Sequence, residues 1–434
     1  MGLKVLVVGA GGFIGRHLVG RLAGEGVCVI PAGRSPARLG RLFPGMRYQA
    51  CDLARDGVAD WLPRLAGVDA VVNLAGLIRD GQGGFGQVHE QGAIALFQAC
   101  RQAGVRRVIQ ISALGADEGG TTRYHRTKKA ADDFLASLDP TGETMDWAVL
   151  RPSLVIGPGN ATGDLLAALG ALPWPLRLGP GTWAVQPIHV DDLVEAVLAL
   201  LRREGPFARR VDCVGPEPMT TDAVTATFRQ WLGMAPAPFI PIPRWALAAT
   251  AWLGDKVGIG PATGESLSML EAGNTAPVDG FRAAFGFTPR PLAQALARHP
   301  AGVAERWRAR LFFLPAPLRL LLAALWLWTG IVSLGLYPVA GSLELLAGVG
   351  LTGGVALGAL YGAALLDLSI GLALAVRWRP ALVGTLSLVL MLGYTGILTV
   401  GQPDWWLHPF GPLSKNLAVA GATLAMMALE ADHG

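Results

Sequence analysis

The sequence is poor in charge, in lysine, in tyrosine and in cysteine. Asp, Glu, Lys and Arg make up 16% of 434 residues, against about 25% in an ordinary soluble protein. With 52% hydrophobic residues and a mean hydropathy of +0.42, the chain is too apolar to be disordered. The shortage is local. From Leu311 onward the only charged residues are Arg319, Glu344, Asp367, Arg377, Arg379, Asp404, Lys415, Glu430 and Asp432. The chain therefore reads as a soluble part followed by a membrane part, and its length predicts about three domains. A net charge of +4, with no basic stripe interleaved with aromatics, argues against a nucleic-acid partner. Cys28, Cys51, Cys100 and Cys213 show no C-x-x-C spacing, which argues against a disulfide framework or a metal site and fits a reducing cytosol. The apolar run after Met1 is too short for a signal peptide and breaks into glycines, so it predicts a buried strand. The myristoylation pattern fails at Leu6.

What is present before Leu311 is an alternation. Leu3–Val8, Val27–Ile30, Arg47–Ala50, Ala70–Leu74 and Arg107–Ile111 are short and rich in β-branched residues. Between them lie amphipathic stretches at Phe13–Ala23, Val58–Leu65 and Gly86–Ala103. This predicts an α/β fold, a doubly wound parallel sheet of the Rossmann type. Gly9, Gly12 and Gly15 stand between the first strand and first helix in Val8-Gly-Ala-Gly-Gly-Phe13-Ile14-Gly15. Missing side chains let the backbone turn tightly and approach a pyrophosphate at the helix N-terminus. After the second strand, where a ribose-binding acid often stands, the sequence reads Gly33-Arg34-Ser35. Arg34 is placed to meet a 2′-phosphate, which favours NADP(H) over NAD(H).

Tyr124 and Lys128 are four residues apart on a predicted helix, Thr122–Leu138, and so share a face. A lysine cation favours the phenolate and suits the tyrosine to acid/base work at a hydroxyl or carbonyl. Ser112 ends the fifth strand and is the candidate hydrogen-bond donor to the substrate oxygen. These segments, in this order, resemble the extended short-chain dehydrogenases/reductases over roughly residues 1–300. The resemblance rests on Gly9–Gly15, Asp52-Leu53, Asn73-Leu74-Ala75-Gly76, Ser112, Tyr124-x-x-x-Lys128, Leu150-Arg-Pro152-Ser153-Leu-Val-Ile-Gly-Pro158 and Gln186–Asp192. It is closest in pattern to the atypical branch that holds the nucleotide-binding accessory subunit of respiratory complex I. The resemblance implies that Tyr124, Lys128 and Ser112 are catalytic. It further implies that Gly9, Gly12, Phe13, Ile14, Gly15, Arg34, Asp52, Leu53, Asn73, Leu74, Ala75, Gly76, Lys128, Pro152 and Ser153 hold the cofactor. Two positions depart from the pattern: Val8 replaces the usual Thr, and His89-Glu-Gln-Gly92 stands where relatives carry Asn before Gly. His89 either takes over that proton relay or simply packs.

The expected layout is a nucleotide-binding domain over 1–150 and a substrate-capping lobe over 151–300, interleaved with the first. A basic interfacial junction follows over 301–316, then a four-helix transmembrane bundle over 317–434. Leu320–Tyr337, Val355–Val376 and Ala381–Val400 are each about long enough to cross a bilayer, whereas Leu417–Leu429 is short. Arg306, Arg308, Arg310 and Arg319 precede the first span, and Arg377 and Arg379 separate the second from the third. By the positive-inside rule both termini are cytoplasmic, which places the protein in the inner membrane with the nucleotide domain in the cytosol. Trp326-Leu-Trp-Thr-Gly330, Tyr361–Asp367 and Trp406-Leu-His-Pro-Phe-Gly-Pro412 with Lys415-Asn416 resemble the DoxX-like family over 315–430. Asp367, an ionisable group inside a span, is a functional candidate or the partner of a neighbouring helix. The expectation is a membrane-anchored NAD(P)-dependent oxidoreductase or isomerase acting on a small or membrane-soluble carbonyl or hydroxyl compound such as a quinone or lipid. The alternative is a non-catalytic NADP(H)-binding module, structural or redox-sensing, within a membrane complex or homo-oligomer.

Overall fold

The computed structural model describes residues 2–78, 80, 84–257 and 264–430. It divides into two compact units that meet in sequence at Arg310 and Leu311. In the first unit strands β1 (Lys4–Val8), β2 (Cys28–Gly33), β3 (Gln49–Ala50), β4 (Ala70–Asn73), β5 (Arg107–Ile111), β6 (Asp146–Pro152) and β7 (Ala208–Cys213) form one sheet. Its order is β7-β6-β5-β4-β1-β2-β3, and every pairing is parallel. β1 shows how sequence sets this arrangement. Val5 and Val7 face one core with Leu18 and Leu22 of helix α1 (Phe13–Gly24), and Leu6 and Val8 face the other with Trp61 and Phe97. Both faces are thus covered, which is why β1 reads as an unbroken apolar run. The chain reverses direction across the sheet at β1, between β4 and β2, and such folds bind ligands at the carboxyl end of that switch point.

The expected strands and helices are present, with some differences of detail. β7 lies inside the segment expected to form the cap, so the lobe is built around a strand of the main sheet. A short helix, α2 (Pro36–Leu42), follows β2, capped by Ser35, whose hydroxyl accepts from the Arg38 N–H. The stretch 58–65 splits into a helical turn α3 (Val58–Trp61) and a tighter turn, Leu62–Leu65, because Pro63 interrupts it. A wide π-type turn, Gly86–Gln91, leads into α4 (Gly92–Gln102). Next come α5 (Arg123–Leu138), α6 (Ala161–Ala171), α7 (Val190–Arg202) and α8 (Thr221–Trp231).

The second unit is all helical. Among the described residues, three helices are long and apolar enough to cross a membrane: Pro315–Leu336, Gly353–Ala375 and Pro380–Gly401. We call the main part of the first α9 (Pro315–Ile331), the second α10 (Gly353–Ala375) and the third α11 (Pro380–Gly401). The expected fourth, α12 (Ser414–Glu430), has 17 residues, about 25 Å of helix. α9 packs against α10 and α12, and α11 packs against α10 and α12, so the four close into a bundle. At one end Arg319 and Arg377 both bind Glu430, at 3.2 and 2.7 Å, and Arg319 also donates to the carbonyls of Leu374 and Ala375. This network brings together the start of α9, the end of α10 and the end of α12.

Candidate active site

The glycine loop after β1 is shaped by contacts that exclude side chains. Gly9 has φ +81°, and a Cβ there would stand 2.8 Å from the Ala75 nitrogen and 2.9 Å from the Leu74 carbonyl carbon. The loop is thereby pressed onto the segment leaving β4. A Cβ on Gly15 would meet the Gly9 oxygen at 2.5 Å, so α1 can approach the loop only with glycine there. Gly12 is the N-cap and supplies no side-chain cap, while a Cβ on it would meet only the Gly9 oxygen, at 3.2 Å. The first-turn N–H groups, at Phe13 and Ile14 among others, have no acceptor within their own helix. Open donors at a bare helix N-terminus, beside the switch point, fit a dinucleotide pyrophosphate.

Around this loop the sequence-derived residues take different parts. Asn73 is buried and spans β4 and β5, donating to Gln110 at 2.8 Å and accepting from the Ala75 N–H at 3.1 Å. It therefore shapes the turn Leu74-Ala75-Gly76. Arg34 is exposed just past β2. Arg38, which the sequence reading did not single out, reaches back to the Gly11 carbonyl at 3.4 Å. The clue lay in Ser35-Pro-Ala-Arg38, a capped helical start that carries Arg38 over the loop. Asp52 caps its own turn by accepting from the Ala54 N–H, and Leu53 is buried with its carbonyl against Gly92. Pro152 ends β6 and its carbonyl accepts from the Leu114 N–H. Ser153 is buried and its hydroxyl donates to the Gln186 carbonyl, which ties β6 to the lobe.

The chemistry-bearing side chains lie on α5. Its N-cap Thr122 accepts from the His125 N–H at 3.2 Å. Lys128, Ala131, Asp132 and Leu135 face inward, and Tyr124 sits half-buried one turn before Lys128. Lys128 Nζ donates to the Ile111 carbonyl at 3.0 Å, and a Cβ on Gly76 would come within 3.2 Å of that nitrogen. Gly76 thus keeps open the space in which the ammonium stands. Burial pulls the Lys128 pKa down to about 8, with the Asp132 charge opposing the shift. Tyr124 meets the rings of Phe85, His89 and His125 edge to face, at 5.7, 5.3 and 5.6 Å.

His89 packs. Its Nε2 accepts from the Leu77 N–H at 2.8 Å, and its Nδ1 pairs with Thr127 Oγ1 at 3.3 Å. Thr127 Oγ1 in turn faces the Arg123 and Tyr124 carbonyls. Both ring nitrogens are occupied, the ring stacks on Phe85, and burial with the nearby Lys128 charge pushes its pKa down to about 2. A neutral imidazole so held packs edge to face against the Tyr124 ring.

Ser112, the candidate hydrogen-bond donor to a substrate oxygen, has Asp132 as its side-chain partner. Its hydroxyl donates to Asp132 Oδ2 at 2.6 Å, and Arg151 Nε stands 3.5 Å from the same oxygen. Burial raises the Asp132 pKa to about 6, while Ser112 and Arg151 oppose the shift. Ser112 and Lys128 are thus brought to one end of β5, where the serine hydroxyl donates to Asp132.

Comparison with known proteins agrees with this division. Residues 5–211 match the model of the NAD dependent epimerase/dehydratase family, and residues 323–424 match that of the DoxX-like family. The chain is 32% identical to the ceramide reductase of Caulobacter vibrioides over 202 residues, covering 46% of this chain and 61% of the relative. It is 28% identical over 277 residues to subunit 9 of the NADH dehydrogenase [ubiquinone] 1 alpha subcomplex of Arabidopsis thaliana, covering 59% and 65%. It therefore spans less than two thirds of the length of these relatives. Among solved structures, epimerase Mth375 of Methanothermobacter thermautotrophicus superposes with a TM-score of 0.54 at 18% identity, covering 72% of this chain and 94% of that one. The UDP-N-acetylglucosamine 4-epimerase of Bacillus cereus does so with 0.51 at 16%, covering 72% and 96%. The N-terminal unit thus has a Rossmann-type sheet and is similar to the NAD dependent epimerase/dehydratase family over residues 5–211. It is followed by a DoxX-like helical domain.

Proposed function

We propose that the protein is a membrane-anchored NAD(P)-dependent oxidoreductase acting on a carbonyl or hydroxyl group. The observation that carries this is Lys128, buried beside Gly76 and Ile111 and one helical turn from Tyr124. A bound nicotinamide would supply or accept the hydride. Tyr124 gives or takes the proton at the substrate oxygen. Lys128, held by the Ile111 carbonyl, supplies the positive charge that favours the phenolate. Phe85 and His89 hold the Tyr124 ring against rotation. Arg34 and Arg38, with no acid at the end of β2, support NADP(H) over NAD(H).

A lipid-type carbonyl substrate is the preferred reading. It is supported by the resemblance to a ceramide reductase, by a 30% identical 2-alkyl-3-oxoalkanoate reductase of Stenotrophomonas maltophilia, and by an anchor that would concentrate such molecules. The charge pattern supports an orientation. Arg319, Arg377 and Glu430 gather at one bundle end, and Arg306, Arg308 and Arg310 precede the first span. That end suits the cytoplasmic face, with α12 as a fourth span returning to it. In Tyr124→Phe, NADPH affinity should stay the same while oxidation of NADPH by a lipid carbonyl falls about 10²–10⁴-fold. Unchanged turnover would sink the proposal.

One observation favours a second reading, a nucleotide-binding module without turnover. The Ser112 proton goes to Asp132 rather than to the Tyr124 side. That reading predicts a dinucleotide that co-purifies and resists exchange, with Tyr124→Phe altering neither property.

A further inference from the structure

We propose that Asp367 is a proton-binding site of the helical bundle, a carboxyl carried as the neutral acid that exchanges its proton with water. The inference rests on α9–α12 lying in a bilayer and is independent of catalysis at Tyr124. Asp367 is 14 residues from the start of α10 and 8 from its end. At about 1.5 Å per residue this is about 21 and 12 Å, inside a hydrocarbon core about 30 Å thick. Its side chain is 3% exposed, and Oδ1 has no hydrogen-bond partner.

Among the described residues no cation pairs with Asp367. A Cβ on Gly330 would stand 2.8 Å from the Ala364 carbonyl, and one on Gly371 would stand 2.9 Å from the Ala323 carbonyl. α9 and α10 therefore touch backbone to backbone one turn before Asp367 and one turn after it. The ion pairs of the bundle, among the described residues, are Arg319–Glu430 and Arg377–Glu430. Both arginines are engaged at the end of α10, about 12 Å along the helix. From α11 the titratable group facing Asp367 is Tyr394, within electrostatic reach. Tyr361 lies toward the opposite end of α10, and Glu344, in the short helix Val339–Ala347, is exposed. From α9 the buried polar group is Trp326, whose Nε1 also has no partner; an indole only donates.

An ionised Asp367 would thus turn lone pairs onto hydrocarbon with no charge to answer them, which is the costliest state for such a group. A proton on the carboxyl removes that charge and needs no added volume. An asparagine would serve packing and polarity in the same space, so what the acid adds is a proton it can lose. The step is the dissociation of one O–H bond, with the proton going to water and returning from it.

The test uses the full chain in lipid nanodiscs and infrared difference spectra between about pH 5 and pH 9. The expected result is a neutral-carboxyl component that fades as pH rises and is present in the wild-type spectra but missing at every pH from those of Asp367→Asn, the Asp132 component being common to both. Absence of such a band in the wild type would overturn the proposal, as would a band that ignores pH. Should Asp367→Asn fail to assemble, Asp367→Glu keeps the carboxyl and must shift the band. Labelling by dicyclohexylcarbodiimide, which attacks protonated carboxyls in apolar surroundings, should modify Asp367 and decline in step with the band. Labelling confined to other residues would count against the site.

Discussion

Asp132 and Asp367 invite comparison because each is closed off from solvent, at 0% and 3% exposure, and each leaves Oδ1 without a partner. They differ in what meets the rest of the carboxyl. Asp132 receives a hydrogen bond from Ser112 and faces Arg151, with Lys128 one turn away. Asp367 has no ion-pair partner among the described residues. A buried carboxylate can keep its charge where neighbours replace the water it lost. In the first unit the fold supplies those neighbours at the active-site end of β5. Near the middle of α10 it supplies none, and neutrality is the remaining solution. One chain thus uses one side chain in two ways, according to whether a cation can be brought alongside.

The largest expected effect comes from removing a cation on the Asp132 side. Lys128→Met should lower turnover by about 10²–10⁴-fold and move Asp132 toward the condition of Asp367. Its effect on stability has the opposite sign. The folded Lys128 pKa of about 8 lies below the unfolded value of about 10.4. Below pH 8 the folded protein therefore carries the full burden of a buried charge, and that burden disappears as pH rises through both values. On the order of 3 kcal/mol is involved. Lys128→Met should accordingly be more stable than wild type at pH 7, with the difference gone above about pH 10. Thermal unfolding across that range checks it, and a destabilised variant at neutral pH would contradict the assignment.

Within the bundle the matching experiment is Glu430→Gln. It removes the carboxylate that answers Arg319, a cation only 5% exposed, and leaves Arg319 with two carbonyls. Breaking a buried pair from one side costs about 3–5 kcal/mol, so the variant should unfold at a clearly lower temperature in nanodiscs. Asp367→Asn should change stability much less, since it trades one neutral side chain for another. If the two variants were equally destabilised, the contrast between paired and unpaired acids would fail.

Much of this was legible in the sequence, and the limits have physical causes. Patterns set by the backbone carried over well. The apolar run of β1, the glycine spacing, the Tyr124–Lys128 helix face and the spans of α9 to α11 all depend on local periodicity. β7 was not read because Arg209 and Arg210 interrupt its apolar pattern at the sheet edge. α2 was missed because a seven-residue helix gives too little periodicity. Ser112 shows a different limit. Its place at the end of β5 follows from sequence, but the direction of its hydroxyl depends on Asp132, twenty residues away on another element. The Arg319–Glu430 contact joins the first and last helices of the bundle, 111 residues apart, and no local pattern announces it.

The smallest expected effect is the most discriminating for Ser112. If the serine acts only through Asp132, Ser112→Ala should leave turnover within a few-fold and cost about 1 kcal/mol, the worth of one hydrogen bond. If it donates to a substrate oxygen, turnover should instead fall about 10²–10³-fold. The pH dependence separates the two without a substrate. The folded Asp132 pKa of about 6 lies above the unfolded value of about 3.9. The folded state therefore holds a proton that the unfolded state has lost, and stability declines as pH rises from about 4 to 6. Removing the Ser112 donor should raise the folded pKa further and deepen that decline, extending it to higher pH. Asp132→Asn should abolish it. Melting temperatures of the three proteins between about pH 4 and pH 7 give the comparison. Coincident wild-type and Ser112→Ala curves would show that the serine does not act through Asp132.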